Sequence, residues 1–270
     1  DLVALRDGWT TTPSYYSCTY RQAADITLSS AWEHGIGFST DGSVLYKPFD
    51  GTYDGDGHSV TDLVINALTV PLGGQARELG FIGLSTSGTA ALRNLNLVNA
   101  NITCGYEAVF AAMLVGEISG SVERSSATGS VTCTGANGIS RMGGLIGYTN
   151  GSVTNSWVSG TVTLPTTYFL APNSIGGVIG KSFSAASVQN VLGRVTLVNA
   201  IEGDYVGAFA GWAEGVRSAN FVQSGLTSGL TQLIDVGSTP VNVEFKSSAE
   251  LQDISTYVGW SISAGVNTST

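Results

Sequence analysis

The residues best equipped for chemistry in this chain lie close together near its start: Asp50, Asp54 and Asp56 alternate with Gly51, Gly55 and Gly57, and His58 follows directly. Carboxylates on a glycine-rich turn are what a calcium loop uses, but the closing glutamate of an EF-hand loop is replaced here by Thr61. A turn leading into the next strand accounts for the cluster without a metal. No cofactor is therefore expected, with calcium at Asp50, Asp54 and Asp56 as the alternative. His34 and His58 are the two histidines, and no HExxH, CxxC or Ser-His-Asp pattern accompanies them, so zinc and nucleophilic catalysis lack their parts. Polysaccharide cleavage needs paired carboxylates, and between Arg124 and Ile201 there is neither Asp nor Glu. The central chain is expected to be non-catalytic, and an enzyme site would have to use the acidic N-terminal region.

The elements that carry these residues are foreshadowed by composition. The chain has 270 residues, with 36 Gly, only 6 Pro, and charged residues at 11%, which suits many short strands joined by tight turns. A net charge of −9 argues against nucleic acid or an anionic membrane surface as partner, since both are bound through Lys and Arg. No apolar run is long enough for a membrane span. The chain begins at Asp1 and is read as a mature or excised segment of a secreted or cell-surface protein.

Internal repetition is the most informative feature. The segments Leu79–Gly83, Ala112–Gly116, Gly143–Gly147, Gly176–Gly180 and Gly207–Gly211 look alike, and their final glycines at 83, 116, 147, 180 and 211 are spaced by 33, 31, 33 and 31 residues. A second landmark follows each of the first four: Leu92-Arg93-Asn94, Val122-Glu123-Arg124, Val153-Thr154-Asn155 and Val188-Gln189-Asn190. A third comprises Ile102-Thr103-Cys104, Val131-Thr132-Cys133, Val162-Thr163-Leu164 and Val195-Thr196-Leu197. Each landmark alternates or is β-branched and is bounded by Gly, Ser or Asn, so each reads as a short strand. Three strands and three turns per repeat cannot bury an apolar face alone, but stacked repeats can. The expected fold is all-β, a right-handed parallel β-helix (solenoid) with coils of about 31–33 residues. Residues 1–78 would form the cap and first coils, 79–227 the repeated coils and 228–270 a finishing segment, all within one continuous domain.

Alternation assigns faces. Val131 and Cys133 share one side and Thr132 takes the other. Cys104 and Cys133 then point inward from adjacent coils. Either they are bonded, or they are two stacked small hydrophobes continued by Leu164 and Leu197; the second reading is favoured. Thr103, Thr132, Thr163 and Thr196 form an outward rank beside Asn101, Ser130, Thr161 and Arg194, and the charge in that second rank counts against an ice-binding face. Asn94, Arg124, Asn155 and Asn190 form a column expected to hydrogen-bond along the stack.

The glycine-bracketed GGLIG and GGVIG segments, followed by SVTNS or SVQN and then GTVT or GRVT, resemble the GLUG repeat. Ala24–Leu28 with Phe49–His58, and Ser248–Leu251 with Tyr257–Trp260, are similar to the segments that open and close such arrays. The resemblance implies a β-helical module of a large bacterial surface protein, adhesins among them, and carries over no catalytic residue.

The loops from the third strand of one coil to the first of the next stack along one edge. They bear Tyr106 and Glu107, then Arg141, then Tyr168 and Phe169, then Asp204 and Tyr205. Aromatic rings with a few polar groups on adjacent loops are what a sugar or peptide groove uses, while rings that merely cap the core are the alternative. The expected function is non-catalytic binding of a glycan or protein on another cell or surface, as an adhesin or fibre-tip module. The alternatives are a polysaccharide-processing enzyme and a structural spacer. Unpaired outer ladders leave room for a homo-oligomer such as a trimer.

Overall fold

The computed structural model describes residues 2–8, 13–39, 46–67, 78–105, 110–133, 141–164, 173–199, 205–226, 233–237, 243–257 and 260. Short strands pair in parallel, each with its counterpart one repeat away, in sheets of 14, 5 and 6 strands wound as a β-solenoid of about five turns. The five-stranded sheet holds Phe110–Ala111, Arg141–Gly143, Ser174–Gly176 and Tyr205–Gly207. The six-stranded sheet holds Val115–Ile118, Ile146–Thr149, Ile179–Ser182 and Ala210–Ala213. The largest contains the long strands Asn96–Cys104, Ser126–Cys133, Ser152–Thr163 and Ser187–Val198. Among the described residues no helix is long and apolar enough to cross a membrane.

Stacking places like over like inside the coil. Ile65, Ile102, Val131, Val162 and Leu197 follow one another in register and are all buried. So do Tyr53, Leu92, Val122, Val153 and Val188. Phe221, in register with Leu192 on the outer side of the large sheet, stacks 5.6 Å from Trp260, and the helix Leu2–Asp7 adds its buried Leu2 and Leu5 to the core at the N-terminal end.

The corner between the second and third landmarks is made by one residue per coil in the left-handed region: Asn94, Arg124, Asn155, Asn190 and Ala219, with φ of 54°, 46°, 50°, 56° and 50°. Asparagine tolerates this conformation better than other non-glycine residues. The column is also hydrogen-bonded as expected. Asn94 Nδ2 donates to Asp54 Oδ1 at 2.8 Å, Arg124 Nε to Asn94 Oδ1 at 2.8 Å, and Asn190 Nδ2 to Asn155 Oδ1 at 3.0 Å. Directly inside the corner, backbone amides are met by side chains of the next coil: Leu95 N donates to Ser125 Oγ, Ser125 N to Ser156 Oγ, and Val191 N to Asn220 Oδ1.

Two expectations are corrected. Cys104 and Cys133 are bonded, because parallel register brings their α-carbons to 4.6 Å, inside the range a disulfide spans. The second correction concerns the last long strand. Val153 pairs with Val188, and since both strands run without a bulge, that offset carries through: Val158 meets Gly193, Thr161 meets Thr196 and Val162 meets Leu197. Two extra residues lie in the turn between Ser182 and Ser187 relative to the turn between Thr149 and Ser152. Leu197 thus stands two places from the position expected beside Leu164, but an even shift keeps it on the inner face. The outer ranks change accordingly. Thr103, Thr132 and Thr163 continue into Val198, while Asn101, Ser130 and Thr161 continue into Thr196. Arg194 leaves that rank, lies beside Ser159 and hydrogen-bonds Gln223 Oε1 at 2.7 Å.

Close stacking makes Gly160 irreplaceable. Its φ is +144°, and a Cβ there would lie 1.9 Å from the Gly129 carbonyl oxygen. Gly160→Ala is expected to cost about 3 kcal/mol through strain and overpacking. Ala219→Gly removes the left-handed penalty and should add about 1 kcal/mol, or a rise of about 2–4 °C in melting temperature. Thermal melts of both variants check this; an unchanged Gly160→Ala variant would contradict the stacking described.

Candidate functional site

The residue that follows each repeated glycine points outward from the six-stranded sheet. In register these are Leu84, Glu117, Tyr148, Lys181 and Trp212. Beside them on the five-stranded sheet run Glu78, Phe110, Arg141, Ser174 and Tyr205. The two columns approach because the corner between the sheets is closed on glycine: a Cβ on Gly147 would lie 2.6 Å from Gly116 O and 2.9 Å from Ala111 N. Backbone contact here sets side chains of the two sheets against one another.

The result is an alternation of rings and cations. The Arg141 guanidinium lies 4.6 Å from the centre of Phe110 and 4.9 Å from that of Tyr148, whose rings stack 5.4 Å apart. The Lys181 ammonium lies 4.1 Å from Trp212 and 5.4 Å from the exposed Phe183, and Tyr148 and Phe183 are 6.3 Å apart. Tyr205 meets Trp212 edge-on at 5.2 Å, and Trp212 Nε1 donates to Glu214 Oε1 at 3.0 Å. Each cation–ring contact is worth about 0.5–2 kcal/mol, rising as water is removed. Burial lowers the pKa of Arg141, opposed by Tyr148 and Glu117, and burial followed by the Arg141 charge lowers that of Lys181. Burial also raises the Tyr148 phenol. Among the described residues neither Arg141 nor Lys181 is ion-paired. Chemically, the face offers flat apolar surfaces for stacking and two partly buried positive charges between them.

Of the residues expected at a binding edge, Arg141 and Tyr205 lie on this face, each opening a strand. Tyr106, Glu107, Tyr168, Phe169 and Asp204 lie outside the described residues; in sequence they precede the strands of Phe110, Ser174 and Tyr205. Phe110, Tyr148, Lys181, Phe183 and Trp212 are additions from the structure. A signal for three of them was present, because Tyr148, Lys181 and Trp212 occupy the one position adjoining every repeated glycine.

The acidic cluster is divided among different partners. Asp50 Oδ1 accepts the Thr86 and Ser87 amides at 2.8 Å each. Asp54 accepts Arg93 Nε at 2.9 Å and Asn94 Nδ2 at 2.8 Å, while Asp56 pairs with Arg21 at 2.6 Å. A calcium ion shared by these carboxylates would have to displace Arg93 and Arg21. For Asp54, burial works to raise the pKa, but hydrogen bonds from Asn94 and the Asp56 amide, together with Arg93, outweigh it and hold the carboxyl below its usual value of 3.8. That suits a structural anion rather than a proton donor. His34 is buried and stacked 4.0 Å from Phe38, and burial lowers its pKa. A cleft of about 510 Å³ at the N-terminal end is lined by Leu2, Leu5, Tyr15, Tyr20, Arg21 and Tyr53 among others, with no carboxylate or histidine among the described residues lining it.

No protein-family model matches the chain, so the likeness to the GLUG repeat rests on the repeated segments alone. Over 155 residues the chain is 33% identical to halomucin of Haloquadratum walsbyi (strain DSM 16790 / HBSQ001). The match takes in 55% of this chain and 2% of halomucin, so the chain corresponds to a small fraction of that protein's length.

The lowered pKa of Asp54 fixes a sign. Its stabilising contribution is present in full above the ordinary value of 3.8 and is lost as pH falls through the lower folded value. Asp54→Asn should therefore cost about 1–2 kcal/mol at neutral pH, with the difference from the parent shrinking below pH 4. Urea unfolding at pH 7 and pH 3 reads this; a difference of equal size at both would show that the charge is not what holds the corner.

Proposed function

We propose that this chain is a rigid solenoid segment of a large surface protein and that it binds a glycan, without turnover, on the face bearing Phe110, Tyr148, Phe183 and Trp212. The observation that carries this reading is the alignment of these rings on adjacent coils, outside the core, with Arg141 and Lys181 between them. Core-capping rings would be buried, whereas Phe183 is exposed and Phe110, Tyr148 and Trp212 are half-buried. They stand on strands locked by stacked neighbours, so little is lost in ordering them on binding. Similarity to part of halomucin, a large archaeal surface protein, supports a surface setting. The Cys104–Cys133 bond agrees with an oxidising compartment outside the cytosol.

A second reading, a spacer that separates distal parts of a long protein, is favoured by the small share of halomucin that the chain matches. A spacer needs no ring face. The two readings separate on a glycan array probed with the isolated chain, followed by calorimetry of any hit. Trp212→Ala and Tyr148→Ala should each weaken binding about tenfold, in line with about 1.4 kcal/mol per anchoring ring, while the lost cation–ring and ring–ring contacts lower the melting temperature by only a few degrees (~2–4 °C per kcal/mol). An array without hits, or variants that lose stability while retaining affinity, would leave the spacer standing.

A further inference from the structure

The charges of this solenoid are segregated along its length. From Arg124 to Ile201 the chain carries four cations, Arg124, Arg141, Lys181 and Arg194, and no carboxylate, in a protein of net charge −9. Two of the four are used within the long sheet, Arg124 on Asn94 and Glu123 and Arg194 on Gln223. The other two, Arg141 and Lys181, both come to the ring face, on adjacent coils. Glu117 and Glu214 stand one coil to either side, so the centre of the face is positive and its ends are negative.

These cations lie against ring faces and make no ion pair among the described residues, with Glu117 acting on Arg141 and Glu214 on Lys181 only from neighbouring coils. A partly dehydrated charge of this kind recovers free energy when an anion reaches it, and a guanidinium can grip a carboxylate or sulfate with two parallel hydrogen bonds. Geometry favours a sugar chain over an acidic peptide. Successive coils are about 4.8 Å apart, close to the length of one sugar unit in an extended chain, whereas same-side side chains of an extended peptide recur at about 6.7 Å. A polysaccharide running along the solenoid would keep step with the rows of rings and cations; a peptide would drift out of step.

We infer that the ligand of this face is an acidic polysaccharide lying along the solenoid axis, its sugars stacked on Tyr148, Phe183 and Trp212 and its carboxylate or sulfate groups held by Arg141 and Lys181. This rests on the glycan-binding reading above and specifies its chemical class. Anion capture by two half-screened cations weakens with added salt, while stacking does not.

The test compares polygalacturonate with its fully methyl-esterified form, which has the same backbone without charge, and with dextran sulfate, neutral dextran and polyglutamate. Polygalacturonate or dextran sulfate should bind about tenfold more tightly than the uncharged polymers, and the stronger of the two identifies the anionic group. That advantage should fall steeply between about 0.05 M and 0.5 M NaCl. Lys181→Met and Arg141→Met should abolish the preference while leaving the weaker binding of the ester, and Arg124→Met, off the face, should preserve it. Equal binding of acid and ester overturns this inference and leaves glycan binding intact. Equal or tighter binding of polyglutamate overturns the assignment to a sugar chain. If no polymer and no array glycan binds, the glycan reading itself falls.

Discussion

Every coil of this protein depends on parallel backbone hydrogen bonds to the coil above and the coil below. That pairing holds each residue over its counterpart at a fixed spacing, so a side chain is judged by its column more than by its neighbours in sequence. Ile65, Ile102, Val131, Val162 and Leu197 share one environment although they are spread over much of the chain. Polar groups obey the same rule. The amides turned inward at the corner are met by Ser125, Ser156 and Asn220 of the following coil, so one coil completes the hydrogen bonding of another. A single coil in isolation would leave those amides unmet and its apolar side bare, which is why stability belongs to the stack.

Because columns dominate, much of the fold was legible from spacing. The repeated glycines and the Val-Thr-Cys and Val-Thr-Leu segments identified strands and faces, and the Asn column was legible as a ladder along the stack, its place at a left-handed corner coming from the structure. Register at the last long strand was not legible, for a specific reason. Gly193-Arg194-Val195 imitates Gly160-Thr161-Val162 and invites alignment of the two glycines, but the pairing had already been offset by the longer turn at Phe183. A strand without a bulge cannot return to the earlier offset. The disulfide was geometrically permitted by the sequence reading, and the 4.6 Å approach of the two α-carbons decides it.

The ring face was harder to see for a different reason. Leu84, Glu117, Tyr148, Lys181 and Trp212 differ so much in chemistry that their common position reads as noise along the chain. Only stacking shows that they are one surface, and only the neighbouring sheet supplies Phe110 and Arg141. The acidic cluster carried the stronger signature in sequence but is consumed by the fold, with Asp54 tied to Arg93 and Asn94.

The bond between Cys104 and Cys133 has a mechanical consequence. A solenoid pulled from its two ends yields by peeling coils from the stack, since each contacts only its neighbours. The bond joins positions 29 residues apart in two successive coils, so that stretch cannot pay out under load while the bond is intact. At about 3.4 Å per extended residue, about 100 Å of contour length is withheld. Under reducing conditions the same tether would lengthen by that amount, making the extension of the unravelled chain a reporter of thiol chemistry at a point buried in its core.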